Sequence, residues 1–306
     1  MTAGRLGPGV RVGHWTAPGG TTGTTVVVPD APAIAGVDVR GNAPATRETD
    51  ALAPWRLVER VDAVVLSGGS ALGLGSANTV AEAMVRRGRG VPTPGGPVPI
   101  VPAACVFDLV ASGGTWPPAE AGALALDVAT AEPPWGRVGA GAGATVGKVH
   151  GAEWAVPGGV GAECEEVAGV ALGAIVVANA LGDVVGESGE VVAGSRAATG
   201  TEPVAPITRT NTTVAVVTVD AVFAPAEAYV LAQAAHDGFA RCLRPSHTRY
   251  DGDTVFVLAT GTGPAPADPG IVDAAVAAVA GIVAAATRHA VTATRTGAES
   301  AEEGQP

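Results

Sequence analysis

Pro206-Ile207-Thr208-Arg209-Thr210-Asn211-Thr212-Thr213-Val214-Ala215-Val216-Val217-Thr218-Val219-Asp220 joins two kinds of sequence without a break. Up to Asn211 it is mostly polar. From Thr213 onward it is a run of β-branched and small apolar side chains, the composition of a strand covered on both faces. A stretch read as an exposed loop therefore passes straight into a buried strand, with Asn-Thr at the boundary. A bare Asn-Thr there is ordinarily an Asx or Ser/Thr turn that opens the strand. Its surroundings offer a second reading. Asp251-Gly252-Asp253-Thr254 opens another apolar run downstream, and carboxylates at i and i+2 of a strand share a face. Polar residues at the mouths of neighbouring buried strands are where a site can be built.

Working outward, residues 24–29, 33–39 and 61–66 read as short strands, the last ending at Ser67-Gly68-Gly69-Ser70. Residues 98–106 are β-rich but broken by proline, 169–178 form a fully apolar strand, and 253–260 another. Helices are expected over 74–87, 120–130, 225–241 and 269–289. A glycine-dense loop fills 135–147, a hairpin 148–156, a turn 183–192 and a small polar loop 194–206. The polar tail from Arg295 reads as disordered. Strands and helices intermix without a strict βαβ rhythm, which predicts an α/β protein of layered sheets and helices. The length of 306 residues allows two domains, but no linker or internal repeat divides the chain, so one domain is expected. With 44 glycines and only 4% aromatic residues, those layers should approach closely.

Composition also excludes partners. A net charge of −11 argues against nucleic acid, which needs a basic surface. Arg86-Arg87-Gly88-Arg89 is too short to supply one. Cys105, Cys164 and Cys242 are unevenly spaced and suit neither a disulfide framework nor a zinc site. Thr-Ala-Gly-Arg-Leu-Gly after Met1 is no apolar leader, so the chain reads as cytoplasmic. Residues 271–286 are apolar but for Asp273. Short and Ala-rich, they suit a core helix better than a membrane span.

Several motifs compete with bland readings. Gly139-Ala140-Gly141-Ala142-Gly143-Ala144 matches a dinucleotide-binding pattern on paper. That pattern must open a helix, whereas Thr145-Val146-Gly147-Lys148-Val149 looks like strand, so a tight turn is favoured. Taken alone, Lys148 reads as a solvated lysine at a strand end and Asn179 as a turn cap. Ser70 lacks the second glycine of a nucleophile elbow, yet its loop joins a strand to a helix N-terminus and can face a ligand. His247 with Asp251 and Asp253 is a candidate metal set, but no recognisable metal motif surrounds it.

In their order along the chain, these blocks resemble the self-processing L-aminopeptidase/D-esterase family, which includes β-aminopeptidases. They are especially similar to its nylon-oligomer (6-aminohexanoate-oligomer) endohydrolase branch. The blocks are Asp38-Val39-Arg40-Gly41, Thr46-Arg47-Glu48-Thr49-Asp50, the run from Val61 to Leu74, Gly139 to Lys148, Val176-Val177-Ala178-Asn179, Asn211-Thr212-Thr213, and His247-Thr248 with Asp251-Gly252-Asp253-Thr254. The resemblance implies a four-layer αββα sandwich like the N-terminal-nucleophile hydrolases, with different connectivity. It implies a precursor that cuts itself between Asn211 and Thr212, giving chains 1–211 and 212–306. Thr212 is then the nucleophile, and Lys148, Asn179, Asp251 and Asp253 fall on catalytic positions. Phe107 falls on a substrate-binding position where several members carry Tyr. Many peptidase-type members have Ser where Asp251 stands, which tilts the match toward the nylon-oligomer branch.

The expected partner is a small-molecule amide or peptide, with no cofactor, metal, nucleic acid or membrane, and the chain is expected to form a homo-oligomer. Three rivals remain at this point: an acyltransferase of the ornithine acetyltransferase type, an uncut small-molecule binding protein, and a metal-dependent hydrolase.

Overall fold

The computed structural model describes residue 4 and residues 6–198, 200–203, 211–263 and 268–302, with side chains as far as 294. Of the boundary stretch, residues 206–210 lie outside the described residues.

Among the described residues, the two large sheets are built from eleven strands. In chain order these are β1 (Val10–Thr16), β2 (Gly23–Pro29), β3 (Ala33–Val39), β4 (Thr46–Arg47), β5 (Arg60–Val61) and β6 (Val64–Ser67). Then come β7 (Ala103–Cys105), β8 (Gly159–Val167), β9 (Val170–Asn179), β10 (Thr212–Val219) and β11 (Thr254–Ala259). The helices are α1 (Ser76–Arg86), α2 (Glu120–Asp127), α3 (Pro225–Cys242) and α4 (Pro269–Glu302). The first sheet has the order β1-β2-β6-β7-β4 and the second β8-β9-β10-β11-β3-β5.

The alternation of side chains assigns the faces. On β10, Val214 and Val216 join a core between the sheets, with Ile175 and Val177 of β9 and Val64 and Leu66 of β6. Ala215, Val217 and Val219 point the other way, into a core shared with Leu231 and Phe239 of α3 and Val279 and Val283 of α4. A third core packs Val26 and Val65 of the first sheet against Ala77, Val80 and Met84 of α1 and Ala125 of α2. The layers are thus helix, sheet, sheet, helix, the sandwich that the resemblance implies. The boundary strand belongs to a sheet covered on both faces, which is why it carries no alternation of polar residues.

Packing is as close as the small residues suggest. A Cβ on Gly161 of β8 would lie 2.2 Å from the Ala290 backbone nitrogen and 2.5 Å from the Ala286 carbonyl. Only glycine lets α4 lie against that sheet. The same feature hid β8 from sequence reading, because glycine weakens a strand pattern. Strand β1 was missed for a similar reason, with Gly13 and His14 interrupting its apolar positions.

Two further expectations need adjusting. Helix α4 runs to Glu302, into the stretch read as a disordered tail, while residues 303–306 lie outside the described residues. The hairpin expected over 148–156 is wider: Thr145–Val146 pairs with Val156–Pro157, and Lys148 sits in the loop between them. The glycine-dense segment at 139–144 is a short 3-10 turn leading into that strand, not the start of a helix. The apolar segment of α4 is long enough to cross a membrane, yet it packs along α3, β8 and β9.

Candidate active site

Strand register brings the site together. Asn179 ends β9 directly opposite Thr212, which begins β10. Both have the strand parity of residues that face the gap between the sheets, where Val177 and Val214 stand. On the other side, β10 pairs in parallel with β11, and the pairing extends to a bridge between Asn211 and Asp251. Thr212 is buried, 4% exposed, and its Oγ lies against the carbonyl oxygen of Asn211 as its hydrogen-bond donor.

The first sheet closes this end through the segment after β7. Asn179 Nδ2 donates to the Phe107 carbonyl at 3.1 Å, and Asn179 Oδ1 accepts from the Thr145 N–H at 3.0 Å. Lys148 Nζ donates to Asn179 Oδ1 at 3.0 Å and to the Asn179 carbonyl at 3.1 Å. Lys148 is therefore buried, not the solvated lysine that its local sequence suggests. Burial pushes its pKa down to about 7, against the upward pull of Asp251 and Asp108. An ammonium this poorly hydrated holds its proton weakly. Likewise Asn179 is no simple turn cap, since its amide ties both sheets and the lysine together.

The two carboxylates sit just before β11 rather than on it, and each has its own partners. Asp253 Oδ1 accepts the Thr213 N–H at 2.7 Å, and its Oδ2 lies 2.8 Å from His247 Nδ1. Asp251 Oδ2 accepts the N–H and the hydroxyl of Thr248. Burial, then the neighbouring charge of Asp253, pushes the Asp251 pKa up to about 6. The three residues considered for a metal are thus engaged as two separate pairs, His247 with Asp253 and Asp251 with Thr248. The loop is clamped from behind by the chain after β3. Arg40 N–H donates to the Asp253 carbonyl at 3.0 Å and Ala43 N–H to the Asp251 carbonyl at 2.9 Å. Gly252 is required here, because a Cβ would come within 3.0 Å of Thr212 Oγ and 2.7 Å of the Ala43 carbonyl.

A cavity of about 150 Å³ opens beside Lys148, lined by Phe107, Asp108, Val110, Gly143, Thr145 and Ala152 among others. Phe107 thus serves twice, its carbonyl on Asn179 and the residue as cavity wall. Ser70 is not among the described residues lining it. It stands one step behind, its N–H donating to the Val106 carbonyl at 2.9 Å, in a left-handed conformation with φ +53°.

Sequence reading missed Asp108. This carboxylate is 3% exposed, accepts the Gly69 N–H at 2.7 Å, and has its pKa raised by burial. Its only signal was an acidic residue directly after an apolar run. His247 was noticed, but for a metal rather than for Asp253.

The chemistry available is that of a buried hydroxyl at a strand start, set against a carbonyl, with an amide, a weakly basic lysine and two carboxylates around it.

Comparison with known proteins agrees with this picture. The profile of peptidase family S58 matches residues 8–305. An uncharacterized aminopeptidase of Mycobacterium tuberculosis is 39% identical over 293 residues, 86% of this chain and 83% of that protein. A 6-aminohexanoate-oligomer endohydrolase of Paenarthrobacter ureafaciens is 31% identical over 280 residues, 86% of this chain and 76% of that protein. Among solved structures, a Burkholderia β-aminopeptidase superposes with a TM-score of 0.72 at 22% identity, covering 95% of this chain and 88% of that one. The chain belongs to peptidase family S58 and is a peptide-bond hydrolase.

Proposed function

We propose that the chain is a self-processing amide hydrolase whose nucleophile is Thr212, freed as a new N-terminus by cleavage after Asn211. The observation that carries this reading is the placement of Thr212. Its buried hydroxyl already touches the carbonyl that it must attack, at the start of a rigid strand. In the first reaction Thr212 Oγ adds to the Asn211 carbonyl carbon and the Asn211–Thr212 C–N bond breaks. The hydroxyl proton passes to the departing nitrogen, leaving an ester. Water then hydrolyses the ester, giving the Asn211 carboxylate, the Thr212 hydroxyl and a free α-amine.

That amine supplies what a threonine hydroxyl lacks. A free α-amine has a reference pKa near ~8, so part of it is neutral at ordinary pH and can take the proton from its own hydroxyl. In each turnover Thr212 Oγ attacks the substrate carbonyl, the substrate's amine leaves with the proton, and water releases the acyl group. Asp251 and Asp253 orient the α-amine and its strand. Lys148 stabilises charge near the nucleophile. Asn179, directly opposite Thr212 in the strand register, is the amide beside the nucleophile suited to the developing oxyanion.

The cavity walled by Phe107 and Val110 receives the substrate. Cavities of about 150 Å³ hold a benzene ring, so a short side chain or aliphatic segment suits it. The substrate class is a small amide or peptide. The names of the aminopeptidase and endohydrolase relatives support that class without choosing between them.

N-terminal sequencing and intact mass of the purified wild-type protein and of Thr212→Ala test the reading. The wild type should give two chains, the smaller starting at Thr212, with amidase activity. Thr212→Ala should stay whole and lose activity by roughly 10⁴ or more. Active wild-type protein with no chain starting at Thr212 would overturn it.

A further inference from the structure

Behind the site, on the side of β11 that faces α3, two imidazoles pack against each other. Asp253 has the strand parity of Val255 and Val257, which belong to that helix-side core. His247 and His236 have ring centroids 4.9 Å apart, and both lie beside the Phe239 ring. Their hydrogen bonds distinguish them. His247 Nδ1 meets the Asp253 carboxylate at 2.8 Å, while its Nε2 meets the His236 carbonyl at 3.3 Å. A carboxylate and a carbonyl both accept, so a ring protonated at both nitrogens satisfies both contacts, and the geometry suits an imidazolium. His236 is fully buried and meets one acceptor, the Asp38 carbonyl at 3.0 Å, through Nε2. Its Nδ1 has no partner among the described residues, so one proton suffices and the ring is neutral.

The backbone supports a dedicated role. His247 has φ +50°, a conformation uncommon for a residue with a side chain. It persists where surrounding contacts over-determine it. Here the same carboxylate oxygen that holds the ring also lies 3.3 Å from the His247 backbone N–H. The other oxygen of that carboxylate grips the Thr213 N–H at 2.7 Å. One side chain therefore links the imidazolium to the residue next to Thr212.

We propose that His247 is a positioning residue for Thr212: its imidazolium fixes Asp253 in the orientation that holds the start of β10, and with it the nucleophile, against the substrate carbonyl. This rests on the reading of Thr212 as nucleophile. The charged and titratable groups around His247 are Asp253 before β11, Asp38 and Arg40 from β3 and its end, and His236 and Asp237 from α3. Burial opposes charge on His247 and so does Arg40. The Asp253 bond and charge, aided by the His236 carbonyl, prevail and leave its pKa raised. A pKa raised on folding means that the interaction is complete at low pH and is lost as pH rises through the folded value.

The test uses mature wild-type protein, His247→Asn, His247→Ala and Thr212→Ala. Asparagine tolerates the left-handed conformation and keeps an N–H toward Asp253, but has no charge. Kinetics on an aminoacyl p-nitroanilide cleaved by the wild type should show kcat down about tenfold in His247→Asn and about a hundredfold in His247→Ala, with KM within about twofold. Imidazole ¹⁵N NMR should find His247 doubly protonated and His236 neutral at neutral pH, in wild type and Thr212→Ala alike. Wild-type kcat should decline as pH rises through the folded His247 pKa, and His247→Asn should lack that decline. A neutral His247 at neutral pH overturns the inference, whether or not the variants fold. A dead Thr212→Ala beside fully active His247 variants overturns it alone. An active Thr212→Ala overturns the nucleophile reading and this inference with it.

Discussion

The end of β6 and the start of β10 both carry buried hydroxyls, and they are built oppositely. At the end of β6, Ser67 Oγ and Thr24 Oγ bond each other at 2.9 Å, and Thr24 reaches Ser76 Oγ at 3.2 Å. Every member is neutral and each finds a partner within the group. At the start of β10, Thr212 stands among Lys148, Asp251 and Asp253, all buried and all ionisable. Burying such groups opposes their charge, and here it moves the lysine and Asp251 toward neutrality from opposite directions. A closed neutral network serves folding. A lysine and a carboxylic acid whose pKa values are drawn toward the neutral range are able to move protons.

The largest effect that would sharpen this contrast lies at Asn179. Asn179→Ala should lower kcat by about 10²–10³, the loss typical of a missing oxyanion donor. Asn179→Asp keeps the acceptors for Lys148 and Thr145 but donates nothing, so it should lose as much. Steady-state kinetics of the two processed variants checks this. If Asn179→Asp turned over like wild type, the amide would be a mere tether between the sheets, and the two strand ends would be closer in kind.

Next in size is a pH effect on stability. Burial lowers the Lys148 pKa from 10.5 to about 7. Below pH 7 the lysine is charged in the folded and unfolded chains alike, and its burial carries a constant cost. Between about 7 and 10.5 the unfolded chain binds a proton that the folded chain does not, so stability rises with pH across that window. Lys148→Met lacks this term. Urea unfolding at about pH 6.5 and about pH 9.5 should therefore show the wild type gaining on Lys148→Met by about 3 kcal/mol. Parallel curves would mean that Lys148 is hydrated, and would undo the contrast with the neutral network.

How much of this was legible in the chain differs between the two ends. The boundary strand read correctly because β-branched runs in an enclosed layer leave no ambiguity, and the helix expected over 225–241 emerges as Pro225–Cys242. Asn211, Thr212 and both aspartates stood out because polar residues at the mouths of apolar strands are conspicuous. Lys148 and Asn179 did not stand out locally, where their neighbours suggest a solvated lysine and a turn; the family resemblance alone marked them. In the fold, the pairing of β9 with β10 puts Asn179 opposite Thr212, and Lys148 reaches it by hydrogen bonds to Asn179. Strand pairing between distant segments has no local signature. The same limit concealed Asp108 and the partnership of His247 with Asp253, since each depends on where a loop returns rather than on its composition.

The smallest effect tests the other half of the comparison. Ser67→Ala removes a fully buried hydroxyl whose partners are Thr24 Oγ at 2.9 Å and, more distantly, the Gly23 carbonyl at 3.5 Å. Losing a typical internal hydrogen bond costs about 1 kcal/mol, and more where a buried partner is stranded. Thr24 is not stranded, because Ser76 remains within reach. Nor is the Gly23 carbonyl, which also accepts the Gly68 N–H at 2.9 Å. The cost should thus stay near ~1 kcal/mol, visible in the urea midpoint, with no pH dependence because nothing in the network titrates. Turnover should equal that of the wild type. A loss of more than about tenfold in kcat/KM with the fold intact would show that the Ser67–Ser70 loop reaches the chemistry. Ser70, one step behind the cavity wall, would then be a contributor to the site rather than a support beneath it.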